Sequence, residues 1–141
     1  MGKTKIQTIA YVFALFFLLV VLVTNIPMFN DERGYNFGLY KIDPADNVIH
    51  FLTAVISAIC GWYSAKASKW FLILFGALYG LDATAGLFFQ RGLLDLTLFT
   101  ELGGSPDFGL TNLFVNLPHI AIAAVMIWLG ITVGRKVRQV S

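Results

Sequence analysis

The sequence predicts an all-α membrane protein: four transmembrane helices in an up-down bundle, arising as a parallel duplication of a two-helix unit. Three observations carry this expectation. The chain is 57% hydrophobic and only 13% charged, whereas a soluble domain has roughly a quarter of its residues charged. Its apolar residues fall into four blocks, each close to the ~20 residues a helix needs to cross a bilayer. Its basic residues gather at alternate ends of those blocks, as the positive-inside rule asks of a chain that crosses repeatedly.

The spans are placed at 6–26, 48–64, 70–89 and 113–134 of a single domain covering 1–141, with outer loops at 27–47 and 90–112. The first has an unbroken apolar core from Ile9 to Val23 after Lys3 and Lys5. That core exceeds the 7–15 residues usual for a signal peptide, and Asn25-Ile26-Pro27-Met28 is a poor cleavage site, so an uncleaved helix is expected. The second span is interrupted only by Thr53, Ser57 and Cys60, and the third carries one acid, Asp82. The first outer loop is polar and turn-rich, with Asp31-Glu32-Arg33-Gly34 and Asp43-Pro44 as breaks. In the second, Gly92 to Phe99 alternates Leu with Asp95 and Thr97 and predicts a short interfacial helix, ended by Gly103-Gly104-Ser105-Pro106.

Charge placement sets the orientation. Lys3 and Lys5 precede the first span, Lys66 and Lys69 lie between the second and third, and Arg135, Lys136 and Arg138 follow the fourth. The long loops are acidic overall: Asp31, Glu32, Asp43 and Asp46 against Arg33 and Lys41, then Asp95, Glu101 and Asp107 against Arg91. Both termini and the short link are expected in the cytoplasm. The net charge of +2, divided among three inner sites, is a topology signal and argues against a nucleic-acid partner. A single cysteine, Cys60, excludes a disulfide within the chain.

The two histidines stand in one repeated pattern, Asn47-Val-Ile-His50 and Asn116-Leu-Pro-His119, each followed by a long apolar run. Ala54, Ser57 and Gly61 trail His50 by the same steps as Ala123, Met126 and Gly130 trail His119. Those steps fall on one helical face, so each His shares a stripe of small residues that faces the bundle. Phe37-Gly38-Leu39 and Phe108-Gly109-Leu110 precede the two motifs. Because each half begins inside and crosses twice, a pseudo-two-fold axis along the membrane normal is expected. The Gly76–Gly80 and Gly130–Gly134 pairs are further close-packing positions.

Two accounts of the histidines stay open. Asn47 and Asn116 suit N-caps, Pro118 suits a first helical turn, and a His one turn on would pin an outer loop. Alternatively His50 and His119 converge across the two-fold to ligate a haem iron or half a metal site, with Asp82 orienting an imidazole. Cys60 is about 15 Å along the helix from His50, too far to join such a site. Asp82 itself reads as a protonated acid bonded to Thr84 or Tyr79, or as a proton-relay group. There is no Ser/His/Asp set, carboxylate pair, phosphate loop or CxxC, and enzyme activity is not expected.

The stretch from Phe37-Gly-Leu through Asp46-Asn-Val-Ile-His50-Phe-Leu, with the later Asn116-x-x-His119, resembles the bacterial membrane family catalogued as domain of unknown function DUF4383. The resemblance implies a short four-span protein of the bacterial inner membrane with Asn47, His50, Asn116 and His119 as its characteristic positions, and it brings no activity. Asp82 departs from its pattern. The function expected from the whole is an accessory, assembly or interaction subunit in the lipid bilayer, a homo-oligomer or part of a larger complex. A haem or metal redox protein, then proton or small-solute conduction past Asp82, follow as alternatives.

Overall fold

The computed structural model describes residues 2–41, 44–100 and 104–135; Asp43, Glu101, Gly103, Lys136 and Arg138 lie outside the described residues. In chain order the elements are α1 (Lys5–Thr24), β1 (Tyr35–Asn36), β2 (Tyr40–Lys41), α2 (Pro44–Tyr63), α3 (Ala65–Phe89), α4 (Thr97–Thr100) and α5 (Leu110–Thr132). Four of them are long and apolar enough to cross a membrane: Lys5–Thr24, Pro44–Tyr63, Ala65–Phe89 and Leu110–Arg135, the last counting a closing turn. The twenty residues of α1 and of α2 each rise about 30 Å, the thickness of the hydrocarbon layer. The chain is an all-α membrane protein, as the sequence predicts, and it divides into two compact units, Met1–Ser68 and Lys69–Ser141.

The helices start earlier than the apolar runs do. At α2 this follows from Pro44 at its first position, where a missing N–H costs nothing, and from Asp46 in the first turn, which complements the helix dipole. Lys66 and Lys69 lie on the first turns of α3, so Ser64 alone links α2 to α3. Ser64 accepts from the Ala67 amide at 3.0 Å, capping the new helix.

In the first unit α1 and α2 run antiparallel, joined by a polar loop. Gly61, Ser57 and Ala54 are buried along α2. A methyl group added at Gly61 would meet the Gln7 carbonyl oxygen at 3.2 Å and Ala10 at 3.4 Å, so the bare glycine is what lets the backbones close. Ser57 Oγ donates to the Ala10 carbonyl at 2.7 Å, a hydrogen bond made across helices where lipid offers no alternative partner. The C-terminal carbonyls of α2 are met by the other helix's start: Gln7 Nε2 donates to Gly61 O at 3.0 Å and Lys3 Nζ to Trp62 O at 2.9 Å. The connecting loop holds the antiparallel β1–β2 ribbon, Tyr35 opposite Lys41. Phe37 at φ +53° and Gly38 at φ +68° turn it.

The second unit pairs α3 with α5 by the same device. A Cβ at Gly76 would stand 2.8 Å from Ile127 Cγ1 and 3.1 Å from its amide nitrogen, and one at Gly130 would stand 2.7 Å from Ile73 Cγ1. Met126 and Ala123, on the stripe that trails His119, are buried. Gly109 is the N-cap of α5, with its amide donated to Asp107 Oδ1 at 2.8 Å. Phe37-Gly38 and Phe108-Gly109 therefore play different local parts despite their matching letters. The interfacial helix expected over Gly92–Phe99 is confined to the four residues of α4, because Leu96 at φ +66° interrupts it.

Candidate functional site

Among the described residues, a polar constellation at the end of the third span is built around Asp82. It lies two turns before the end of α3, with the residue 6% exposed. One carboxylate oxygen, Oδ1, accepts from the amides of Leu93 at 2.7 Å and Leu94 at 2.8 Å. The other, Oδ2, meets His119 Nδ1 from α5 at 2.6 Å. Tyr79, one turn back along α3, sets its ring edge-on to the imidazole at 5.2 Å. Two backbone amides and an imidazole nitrogen converge on one side chain, an arrangement that satisfies a carboxyl group buried in a medium where a lone charge costs several kcal/mol.

The local fold that brings the amides there is a tight turn after α3. Gln90 at φ +56° ends the helix while its amide bonds the Gly86 carbonyl at 3.0 Å. The chain then closes on itself: Leu98 N donates to Gly92 O at 2.9 Å, and Thr97 Oγ1 accepts from the Gly92 amide at 2.9 Å. Asp95 Oδ1 accepts from the Thr97 amide and hydroxyl at 2.9 and 2.8 Å. This leaves Leu93 and Leu94 presenting two successive amides to one acceptor.

The partners of Asp82 correct the sequence expectation. Thr84 bonds instead to its own helix at Gly80 O, 2.8 Å away, and Tyr79 touches the imidazole rather than the acid. Backbone amides eleven and twelve residues on carry no side-chain signal, so composition could not point to them. Asp82 does stand beside an imidazole, that of His119.

The two asparagines are not N-caps. Asn47 lies inside α2 and meets the Thr24 hydroxyl of α1 at 2.6 Å. Asn116 is buried well within α5, whose start at Leu110 also leaves Pro118 inside the helix. Its Nδ2 donates to the Asn112 carbonyl at 2.9 Å, and Asn112 in turn donates to Gly86 O at 3.1 Å and Asp107 O at 2.8 Å. Both asparagines thus tie the second helix of a unit to the first, one directly and one through Asn112.

His50 belongs to the first unit, where its ring stacks on Phe17 at 5.9 Å with 21° between planes. His119 belongs to the second. Cys60 is half-buried and its backbone carbonyl accepts from Ser68. Among the described residues no three His, Cys, Asp or Glu side chains gather into a group that could hold a metal ion. Comparison of the chain with protein-family models, with curated proteins and with solved structures finds no match.

Proposed function

We propose that this chain is a non-enzymatic multi-pass membrane protein that serves as an accessory, assembly or interaction subunit, packing with copies of itself or within a larger membrane complex. The observation that supports this most is how the polar groups inside the helices are used. Thr24 with Asn47, Ser57 with the Ala10 carbonyl, Asn112 with the Gly86 carbonyl, and Asp82 with His119 are each joined within their own helix pair. Side chains spent on holding helices and loops together suit a scaffold. The same engagement of Asp82 favours anchoring over conduction. On α1, Val12, Leu15, Leu19 and Leu22 are exposed at three- and four-residue steps, the spacing of a helix that packs along a neighbour. Native mass measurement after mild extraction tests the reading. An oligomer or a stoichiometric partner supports it, and a strict monomer with no partner overturns it.

The proposal includes a place in the bacterial inner membrane with both termini in the cytoplasm, on the strength of Lys3, Lys5, Lys66, Lys69 and Arg135 at one set of span ends. It also includes membership of the four-span family the chain resembles. Duplication of a helix pair is supported by contact spacing. Gly61 packs on Ala10 and Tyr11, and Gly130 on Leu72 and Ile73. His50 meets Phe17, and His119 meets Tyr79. Asn47 faces Thr24, and Asn116 faces Gly86. Ala10 to Leu72, Phe17 to Tyr79 and Thr24 to Gly86 are each 62 positions, while Asn47 to Asn116, His50 to His119 and Gly61 to Gly130 are each 69.

A further inference from the structure

By that same 62-residue step, the position of Asp82 in the first helix pair is Val20. The second pair alone has an acid there, and the acid's bonds extend beyond its helix pair to a loop. We propose that Asp82 and His119 form a proton-operated latch, which holds the turn at 90–97 against the end of the α3–α5 pair and releases it when Asp82 takes up a proton.

The geometry makes proton uptake and loop docking compete. Of the roughly four lone-pair positions on a carboxylate, three are already engaged, by the Leu93 amide, the Leu94 amide and His119 Nδ1. A proton added to the acid cancels the charge that makes amide-to-carboxylate bonds about twice as strong as neutral ones. The turn is ready to relax once freed. Gln90 and Leu96 both sit in the left-handed region, at φ +56° and +66°, which L side chains adopt only under constraint.

Among the described residues of its own unit, the titratable groups of the elements beside the acid are these. From α5 comes His119, the sole titratable side chain of that helix; from α3 comes Tyr79, set against the imidazole. The turn brings Arg91 and Asp95, the latter with its carboxylate engaged by Thr97. The latch is independent of whether the protein acts as a subunit, since it concerns one chain.

Residue-resolved amide hydrogen exchange on the full chain in phosphatidylcholine nanodiscs, from about pH 8 to about pH 2.5 and corrected for intrinsic exchange, tests the proposal. Protection of Leu93 and Leu94 is expected to fall at least about tenfold on acidification while Ala123 and Met126 stay protected. In Asp82→Asn the two amides should be weakly protected at every pH. In His119→Gln the side-chain amide can still donate to Oδ2, and the two amides should stay protected at neutral pH. Flat protection of Leu93 and Leu94 across the range overturns the latch, as does their loss only together with Ala123 and Met126. If Asp82→Asn does not insert, the titration of the wild-type chain alone decides.

Discussion

Asp82 and His119 are 37 positions apart in sequence and meet at 2.6 Å, so a single contact closes α3 onto α5 while the other carboxylate oxygen holds the chain that connects them. One acid therefore sets the pairing of two helices and the path of their loop. In a bilayer, where unmet polar groups are costly, this pairing should be an energetic unit rather than two separate groups.

Asp82→Ala is expected to destabilise the protein by about 2–4 kcal/mol, because it strands two amides and an imidazole in a part-buried site. The double-mutant cycle with His119→Ala should show a coupling of about 1–3 kcal/mol. Reversible unfolding in mixed micelles measures both. Coupling near zero would mean that the two side chains are held by their separate surroundings.

Ser57→Ala removes the hydrogen bond to the Ala10 carbonyl but no buried volume of consequence. Its cost should be modest, about 0.6 kcal/mol and no more than about 1.7 kcal/mol, as for other hydrogen bonds between membrane helices. A larger loss in the same assay would show that the hydroxyl organises the α1–α2 pair rather than adding to it.

How far these features could be read from sequence differs by residue. The four spans were visible because apolar length is a direct physical requirement of the bilayer. The buried stripes were visible because Ala54, Ser57 and Gly61, and likewise Ala123, Met126 and Gly130, recur with helical period. The ends were less visible. Helices cross the headgroup region in polar sequence, so α5 begins at Leu110 and Asn116 becomes an interior residue instead of a cap. The latch was half visible: an acid at membrane depth announces a partner, but Leu93 and Leu94 contribute through amides that every residue possesses. The left-handed Leu96 that shortens α4 runs against its own preference and sits among local bonds of the turn, its amide on Leu93 O and its carbonyl on the Phe99 amide.

The Gly76–Gly80 pair should split by position. At Gly76 a Cβ would press on Ile127 Cγ1 at 2.8 Å and on backbone at 3.1 Å, whereas at Gly80 it would meet only Ala123 Cβ at 3.4 Å, an ordinary contact. Gly76→Ala is expected to cost about 1–3 kcal/mol through overpacking. Gly80→Ala should be neutral or gain up to about 1 kcal/mol from helix propensity. Equal losses at both sites would require a second helix packed on Gly80.

The first loop should carry its own acid sensitivity through Asp31. Its Oδ1 accepts from the amides of Tyr35 at 2.8 Å and Arg33 at 3.0 Å, and its Oδ2 pairs with the Arg33 guanidinium at 3.1 Å. The Tyr35 amide holds the carboxyl below its ordinary range, slight burial opposes this, and Arg33 adds to the lowering. A folded-state value below the unfolded one means that the contribution is complete above the ordinary value of about 3.9 and is lost as pH falls through the lower folded value. The amide resonances of Arg33 and Tyr35 should therefore be constant from about pH 8 to about pH 5 and shift together only below about pH 4. Asp31→Asn should abolish that shift and weaken Tyr35 protection at neutral pH. A transition centred above pH 5, or one that persists in Asp31→Asn, would assign the sensitivity to another group.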